Sequence, residues 1–165
     1  MLNVSASLGL RTLALTNFVK GSPIAAFIKG ELRRRNIAYE GPEIAQGGPW
    51  GFRHQFNIAD AGFGPRGPKV HNDRAGEAGR LLKAGDFDLK RLFEEEGVRL
   101  MHLSGLIAAL SESTAELCVQ LAELAKKNGT LVSFDLNYRA SFWKGREEQL
   151  SKVFTSIAGL SDILI

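Results

Sequence analysis

Apolar residues recur along this chain with two periods, and the switches between them mark its elements. Val98-Arg-Leu-Met-His-Leu103 is a short apolar-rich run that predicts a strand ending in Ser104-Gly105. Leu117, Leu121, Leu124 and Ala125 then fall at helical spacing, with Ser113 and Glu116 as the expected capping box. Lys126 and Lys127 suit the last turn of that helix, and Gly129 stops it. Leu131-Val-Ser-Phe is a β-branched and aromatic run, so a second strand follows at once. Leu150, Val153, Phe154 and Ile157 stripe one more helix, and Asp162-Ile-Leu-Ile165 opens another strand. Strand, helix, strand, helix, strand with connections of this length suits right-handed parallel crossovers, and the expected fold class is an α/β doubly wound sheet.

The first forty residues repeat the theme. Leu2, Ala6 and Gly9 fit a helix tail over 2–9, and Arg11-Thr-Leu-Ala-Leu-Thr16 reads as a strand. Ser22 is a candidate N-cap with Pro23 at the first helical position, ahead of a stripe of Ile24, Phe27, Ile28 and Leu32. Further on, Asp86-Phe-Asp-Leu-Lys-Arg-Leu-Phe predicts a short helix capped by Asp86 or Asp88 and closed by Gly97. Strands near 11–16, 98–103, 131–136 and 162–165 are expected to lie parallel in one sheet flanked by helices.

Residues 41–80 break both periods. They hold nine of the eighteen glycines and four of the five prolines, which excludes a helix of ordinary length. Gln55-Phe-Asn-Ile-Ala alternates as a half-exposed strand does, and Lys69-Val-His suggests another, so residues 50–75 are expected to project as a small β flap. An insert of this kind within one domain spanning 1–165 reads as a lid. Gly62-Phe-Gly-Pro-Arg-Gly67 spells G-x-G-x-x-G, but a dinucleotide fingerprint needs a strand before it and a helix opening inside it. Pro65 and Pro68 interrupt, and no apolar helical stripe follows, so a turn between two flap strands is expected instead.

Candidate chemistry gathers where the strand at 131 ends. Asp135, Asn137 and Arg139 alternate with apolar residues, and if the extension continued they would point into one crevice beyond the strand's carboxyl end, where open α/β sheets bind ligands. The competing reading is a loop in which Asp and Asn make turns and Arg pairs at the surface.

Composition then bounds the classes. A chain of 165 residues with 44% hydrophobic content can fill a core, and no apolar run approaches the roughly 20 residues that span a bilayer. Met1-Leu-Asn-Val-Ser-Ala-Ser-Leu lacks the basic start of a signal peptide. The single cysteine, Cys118, falls in a helical pattern as a small buried hydrophobe, and the absence of a cysteine pair fits a reducing, cytoplasmic compartment. The net charge of +3 is mild, Arg33-Arg-Arg35 reads as a solvated helix end, and no basic module for nucleic acid is present.

Three stretches resemble the ribokinase/PfkB-type carbohydrate kinases, and more narrowly their 2-keto-3-deoxygluconate kinase branch. Asn3-Val-Ser-Ala-Ser-Leu8 with Gly9-Leu-Arg-Thr resembles the segment after that family's N-terminal glycine pair. Asp73-Arg-Ala-Gly-Glu-Ala78 with Gly85-Asp-Phe-Asp88 resembles the lid's return to the sheet. Ser104-Gly105 through Ala109-Leu-Ser-Glu112, together with Ser133-Phe-Asp-Leu-Asn-Tyr-Arg139, resembles the central strands and their substrate-side ends. The resemblance implies a ribokinase-like sheet with a small β lid, and a sugar or sugar acid held between the sheet's carboxyl edge and the lid. It implies Arg74 and Arg139 as substrate contacts, in keeping with the bidentate grip of guanidinium on carboxylate. It places Asp135 and Asn137 near the nucleotide phosphates, with ATP and Mg2+ as the intact family's cofactors and pairing of two copies through the lid as an analogy. His71-Asn72 stands where the family often has an aromatic residue before the arginine, which leaves the sugar open. His71 and His102 have no evident catalytic partner and read as structural.

The resemblance also implies what is missing. The family's opening strand precedes Met1, while its N-x-x-E segment and the G-A-G-D segment bearing the anion hole and aspartate base would follow Ile165. The expectation is therefore a central piece of a kinase, inactive by itself, with Ile163-Leu-Ile165 on an unprotected sheet edge. The alternative class is a short non-catalytic α/β module that binds a sugar acid or another chain.

Overall fold

The computed structural model describes residues 1–165, which divide into two compact units, Met1–Gly79 and Arg80–Ile165. In the first unit, helix α1 (Leu2–Ser7) leads to strand β1 (Thr12–Leu15) and a two-residue strand β2 (Phe18–Val19). Helix α2 (Pro23–Arg34) starts where expected: Ser22 is extended, and its hydroxyl accepts from the amides of Ile24 and Ala25, with Pro23 at the first position. Ala25 is its buried residue, whereas Phe27 points outward and does not join the stripe. Asn36, in the left-handed region at φ 55°, ends the helix and turns the chain into β3 (Ile37–Glu40), which runs parallel to β1. A second parallel pair joins β2 to β4 (Glu43–Ile44).

The flap is an antiparallel hairpin of β5 (Phe56–Asp60) and β6 (Lys69–Asp73). Its tip is Gly62-Phe-Gly-Pro-Arg-Gly67, closed by paired hydrogen bonds between Phe63 and Arg66. The G-x-G-x-x-G run is thus a turn, as its prolines require. Gly62, at φ 80°, lies so close to the carbonyl of Arg66 that a Cβ would meet it at 2.3 Å.

The second unit opens with tight turns. A 3-10 turn at Ala84–Asp86 precedes a single π turn at Arg91–Glu95, and Asp88 caps the latter by accepting from the Arg91 amide at 3.0 Å. Gly97, at φ 68°, then lets the chain enter β7 (Leu100–Ser104). A short helix α3 (Gly105–Ala108) and the long α4 (Glu112–Lys127) follow. The box at the start of α4 is made by Ser111 and Thr114, not by Ser113 and Glu116. Ser111 is the extended residue whose hydroxyl meets the Thr114 amide, and the Ser113 hydroxyl donates instead to the Arg80 carbonyl. Beyond α4 lie β8 (Leu131–Asp135), α5 (Ala140–Trp143), α6 (Glu147–Gly159) and β9 (Ile163–Leu164).

Strands β7, β8 and β9 form one parallel sheet with β8 in the middle. Val132 and Phe134 of β8 are fully buried, as are Leu150 and Ile157 of α6 and Ala122 and Ala125 of α4. Cys118 belongs to this core. The single sheet expected from the pattern is in fact two ladders: Thr12–Leu15 takes Ile37–Glu40 as partner, while the other three strands pair among themselves. The pattern gave no signal for Ile37–Glu40 as a strand, because Tyr39 and Glu40 alternate too briefly to stand out from the basic end of α2. The architecture is α/β, with parallel pairing in both units and an antiparallel β flap. No helix is long and apolar enough to cross a membrane.

Candidate functional site

The carboxyl ends of β7 and β8 carry one polar cluster. The register sets Ser104 directly opposite Asp135, and both are the last residues of their strands. The sheet's pleat places Ser104 on the same face as His102, and Asp135 on the same face as Ser133. Past Asp135 the backbone folds back on itself: the Asp135 carboxylate accepts from the Asn137 amide at 2.8 Å, an Asx turn. Asn137 sits in the left-handed region at φ 40°, and its side-chain amide donates to the Ser104 hydroxyl at 3.1 Å. Three side chains from two strand ends are thereby locked together. One row below, His102 Nδ1 lies 3.1 Å from the hydroxyl of the buried Ser133. Burial pulls the His102 pKa below its ordinary value, against the opposing pull of Asp135.

This turn decides between the two sequence readings. The alternation of Asp135, Asn137 and Arg139 does not continue as a strand, because Asn137 leaves the extended region. Asp135 and Asn137 are joined by this turn, while Arg139 stands exposed at the N-cap position of α5, its guanidinium donating to the Tyr138 carbonyl at 2.9 Å. An aromatic ladder steadies the loop it sits on. The Tyr138 ring is 5.2 Å from Trp143, Trp143 is 4.9 Å from Phe154, and Phe154 is 5.4 Å from the buried Phe134. Gly105 is equally placed by packing, since a Cβ there would meet the Leu136 carbonyl at 2.1 Å and the Phe154 ring at 2.6 Å.

In the first unit, Arg74 follows β6 in a loop built around Arg53. The Arg53 amide donates to the Gly76 carbonyl at 2.8 Å, and the Ala78 amide returns to the Arg53 carbonyl at 2.9 Å. The Arg53 guanidinium reaches both the Ala75 carbonyl and the Asp73 carboxylate at 2.7 Å. Asn17, itself buried, donates to the Ala78 carbonyl at 2.7 Å. Gly76 needs its φ of 65° and lies within reach of the Gly51 carbonyl, where a Cβ would clash at 2.7 Å. Within that frame Arg74 Nη1 donates to both carboxylate oxygens of Glu77 at 2.8 Å, with only 22% and 10% of the two side chains exposed. Neither Glu77 nor Arg53 stood out in the sequence. The i, i+3 spacing of Arg74 and Glu77 was the available signal, obscured by the surrounding glycines.

His71 lies exposed on β6, opposite Ile58 of β5. The chemistry missed among the histidines is at His54, whose Nε2 accepts the Val19 amide at 3.2 Å, with its ring 6.2 Å from Phe18. Burial lowers its pKa, and the hydrogen bond requires that nitrogen to be unprotonated. No group of three or more His, Cys, Asp or Glu side chains converges to hold a metal ion.

No protein-family profile matches the chain. A 5-dehydro-2-deoxygluconokinase from Clostridium perfringens is 36% identical over 93 residues, which is 56% of this chain and 26% of that protein. Among solved structures, a PfkB family carbohydrate kinase from Listeria grayi superposes with a TM-score of 0.82 at 29% identity, covering 99% of this chain and 48% of that one. The 2-dehydro-3-deoxygluconokinase of Thermotoga maritima superposes with a TM-score of 0.76, also at 29% identity, over 99% of this chain and 48% of that one. The chain therefore resembles PfkB-type carbohydrate kinases, sugar-acid kinases among them, and it spans about half the length of those solved structures.

Proposed function

We propose that this chain is the acceptor-recognition part of an ATP-dependent sugar-acid kinase, taking a substrate of the 2-keto-3-deoxygluconate class. The observation that carries this reading is the likeness to the Thermotoga kinase over nearly the whole chain, with Arg74 and Arg139 falling at the stretches that resemble the family's substrate side. Arg139 is the carboxylate anchor: it is exposed, on a loop steadied by aromatic packing, and always charged. Arg74 meets the sugar from the flap. Asp135 and Asn137 belong to the nucleotide side, where the Asn137 turn fixes the direction of the Asp135 carboxylate. ATP and Mg2+ are the cofactors of the intact enzyme on this reading, and two copies pair through the flap, whose Phe56, Ile58 and Val70 are exposed. Its compartment is the cytoplasm.

Residues 1–165 alone do not transfer phosphate on this reading. Phosphoryl transfer rests on a positioned base and preorganised anion donors, which the stretches that resemble the family do not include. A missing base costs about 10²–10⁴ in rate and a missing anion-hole donor about 10²–10³. The test is to measure calorimetric binding of 2-keto-3-deoxygluconate to residues 1–165, alongside ATP consumption. Saturable binding that Arg139→Ala weakens by about 1.5–3 kcal/mol, without sugar-dependent turnover, is the expected result. Absence of binding by any sugar acid overturns the recognition role, and sugar-dependent turnover overturns the assignment of inactivity.

A further inference from the structure

We infer that Glu77 is a built-in counter-carboxylate for Arg74, so that the flap receives a hydroxyl-bearing end of the substrate and rejects a second carboxylate. The inference rests on the proposed function, because it takes Arg74 as a substrate contact, and it adds which end of the substrate Arg74 meets. Both oxygens of Glu77 lie 2.8 Å from Arg74 Nη1 in a largely buried pair. The pair is held by construction rather than by chance of rotamer. Arg53 brackets the 73–78 backbone from both sides, Asn17 fixes Ala78, and Gly76 admits no side chain.

The electrostatics follow from that geometry. An isolated guanidinium attracts a carboxylate bidentately. A guanidinium already facing a carboxylate is neutral as a pair, and a second carboxylate brought to it meets a like charge at close range in a partly desolvated setting. What such a pair offers is a donor beside an acceptor. A hydroxyl, which both donates and accepts, satisfies both at once. A sugar acid carries a single carboxylate and hydroxyls along the rest of its length, so it can offer the Arg74–Glu77 pair a hydroxyl where a diacid offers a second charge. Glu77 is thus a specificity-determining residue that acts by charge.

The test compares 2-keto-3-deoxygluconate with glucarate, which carries a carboxylate at both ends, on residues 1–165. Binding is measured by calorimetry and by thermal shift for the wild type, Glu77→Gln and Glu77→Asp, with Glu77→Ala as a second charge-free variant should the glutamine fold poorly. Expected is a preference of the wild type and Glu77→Asp for the monoacid, and a gain for glucarate of about tenfold in Glu77→Gln or Glu77→Ala, the scale of one charge-assisted hydrogen bond. The charge-free variants should also melt lower than wild type without ligand and regain more on adding glucarate, because the ligand's carboxylate then takes the place of the Glu77 charge beside Arg74. If wild type binds the monoacid but the monoacid-to-diacid ratio is unchanged in the charge-free variants, the inference falls while the recognition role stands. If no form binds either acid, both fall together.

Discussion

Gly105 lies against the ring of Phe154, so close that the first carbon of any side chain would come within 2.6 Å of it. The glycine opens α3 immediately after Ser104, and the phenylalanine is the hinge of the aromatic ladder between the core and the Tyr138 loop. Packing at this one point therefore sets how closely the end of β7 approaches the turn after β8.

Gly105→Ala should destabilise the chain by about 3 kcal/mol, the upper part of the usual overpacking range, because the nearest obstacle is the Leu136 backbone carbonyl, which cannot swing aside. Urea unfolding checks the magnitude. An alanine variant as stable as wild type would show that the 135–137 turn relaxes freely.

Asn137 combines a left-handed backbone with a hydrogen bond to Ser104. Asn137→Gly keeps the conformation and loses the bond, at about 0.5–1.5 kcal/mol. Asn137→Ala loses the bond and adds the left-handed penalty of about 1–2 kcal/mol. The alanine variant should therefore unfold at lower urea than the glycine variant, and the reverse order would show that the left-handed backbone at 137 puts no strain on an alanine.

Cys118 is 2% exposed, and burial pushes its thiol up to about 12. At pH 8 the folded protein should leave a thiol reagent such as dithionitrobenzoate unreacted over minutes, while the urea-unfolded chain reacts fully. Cys118→Ser should cost about 1–3 kcal/mol by burying a hydroxyl, and Cys118→Ala less than that on the polar count. Rapid labelling of the native chain would contradict the burial.

His54 accepts the Val19 amide with a nitrogen that must stay unprotonated, and its pKa is depressed by burial. The folded state thus binds protons less readily than the unfolded one. Stability should be complete above the unfolded pKa of about 6.5 and fall as pH drops below it, until the lower folded pKa is passed. His102 is shifted in the same direction, chiefly by burial, and adds to the trend. Denaturation curves at pH 8, 7, 6 and 5 should show the decline, with a smaller slope in His54→Gln. An identical slope in that variant would assign the dependence elsewhere.

Much of this architecture was written in the sequence as local physics. The helix starting at Ser22-Pro23, the stop at Gly129, the strands at 12–15, 100–104 and 131–135 and the flap hairpin all follow from residue type and period, because each is decided by neighbours a few positions away. The rejection of Gly62–Gly67 as a dinucleotide loop rested on Pro65 and Pro68, and the hairpin tip found there obeys the same prolines. The resemblance to sugar kinases was likewise legible, in stretches that run in order along the chain.

The tertiary structure alone decided the rest. Period 2 suggested an extension running on through Asp135, Asn137 and Arg139, but a side chain closing an Asx turn and an amide reaching to Ser104, 33 residues earlier, bent the backbone at Asn137 and ended the alternation there. Pairing partners were hidden for the same reason: nothing near Thr12 says that it will face Ile37. The Arg74–Glu77 pair depends on Arg53 and Asn17, which lie 21 and 57 positions from Arg74 and reach its loop only after the chain has folded. Local periodicity fixes which residues can form an element. Where a charged side chain ends up is set by long-range hydrogen bonds and close packing, which have no period to read.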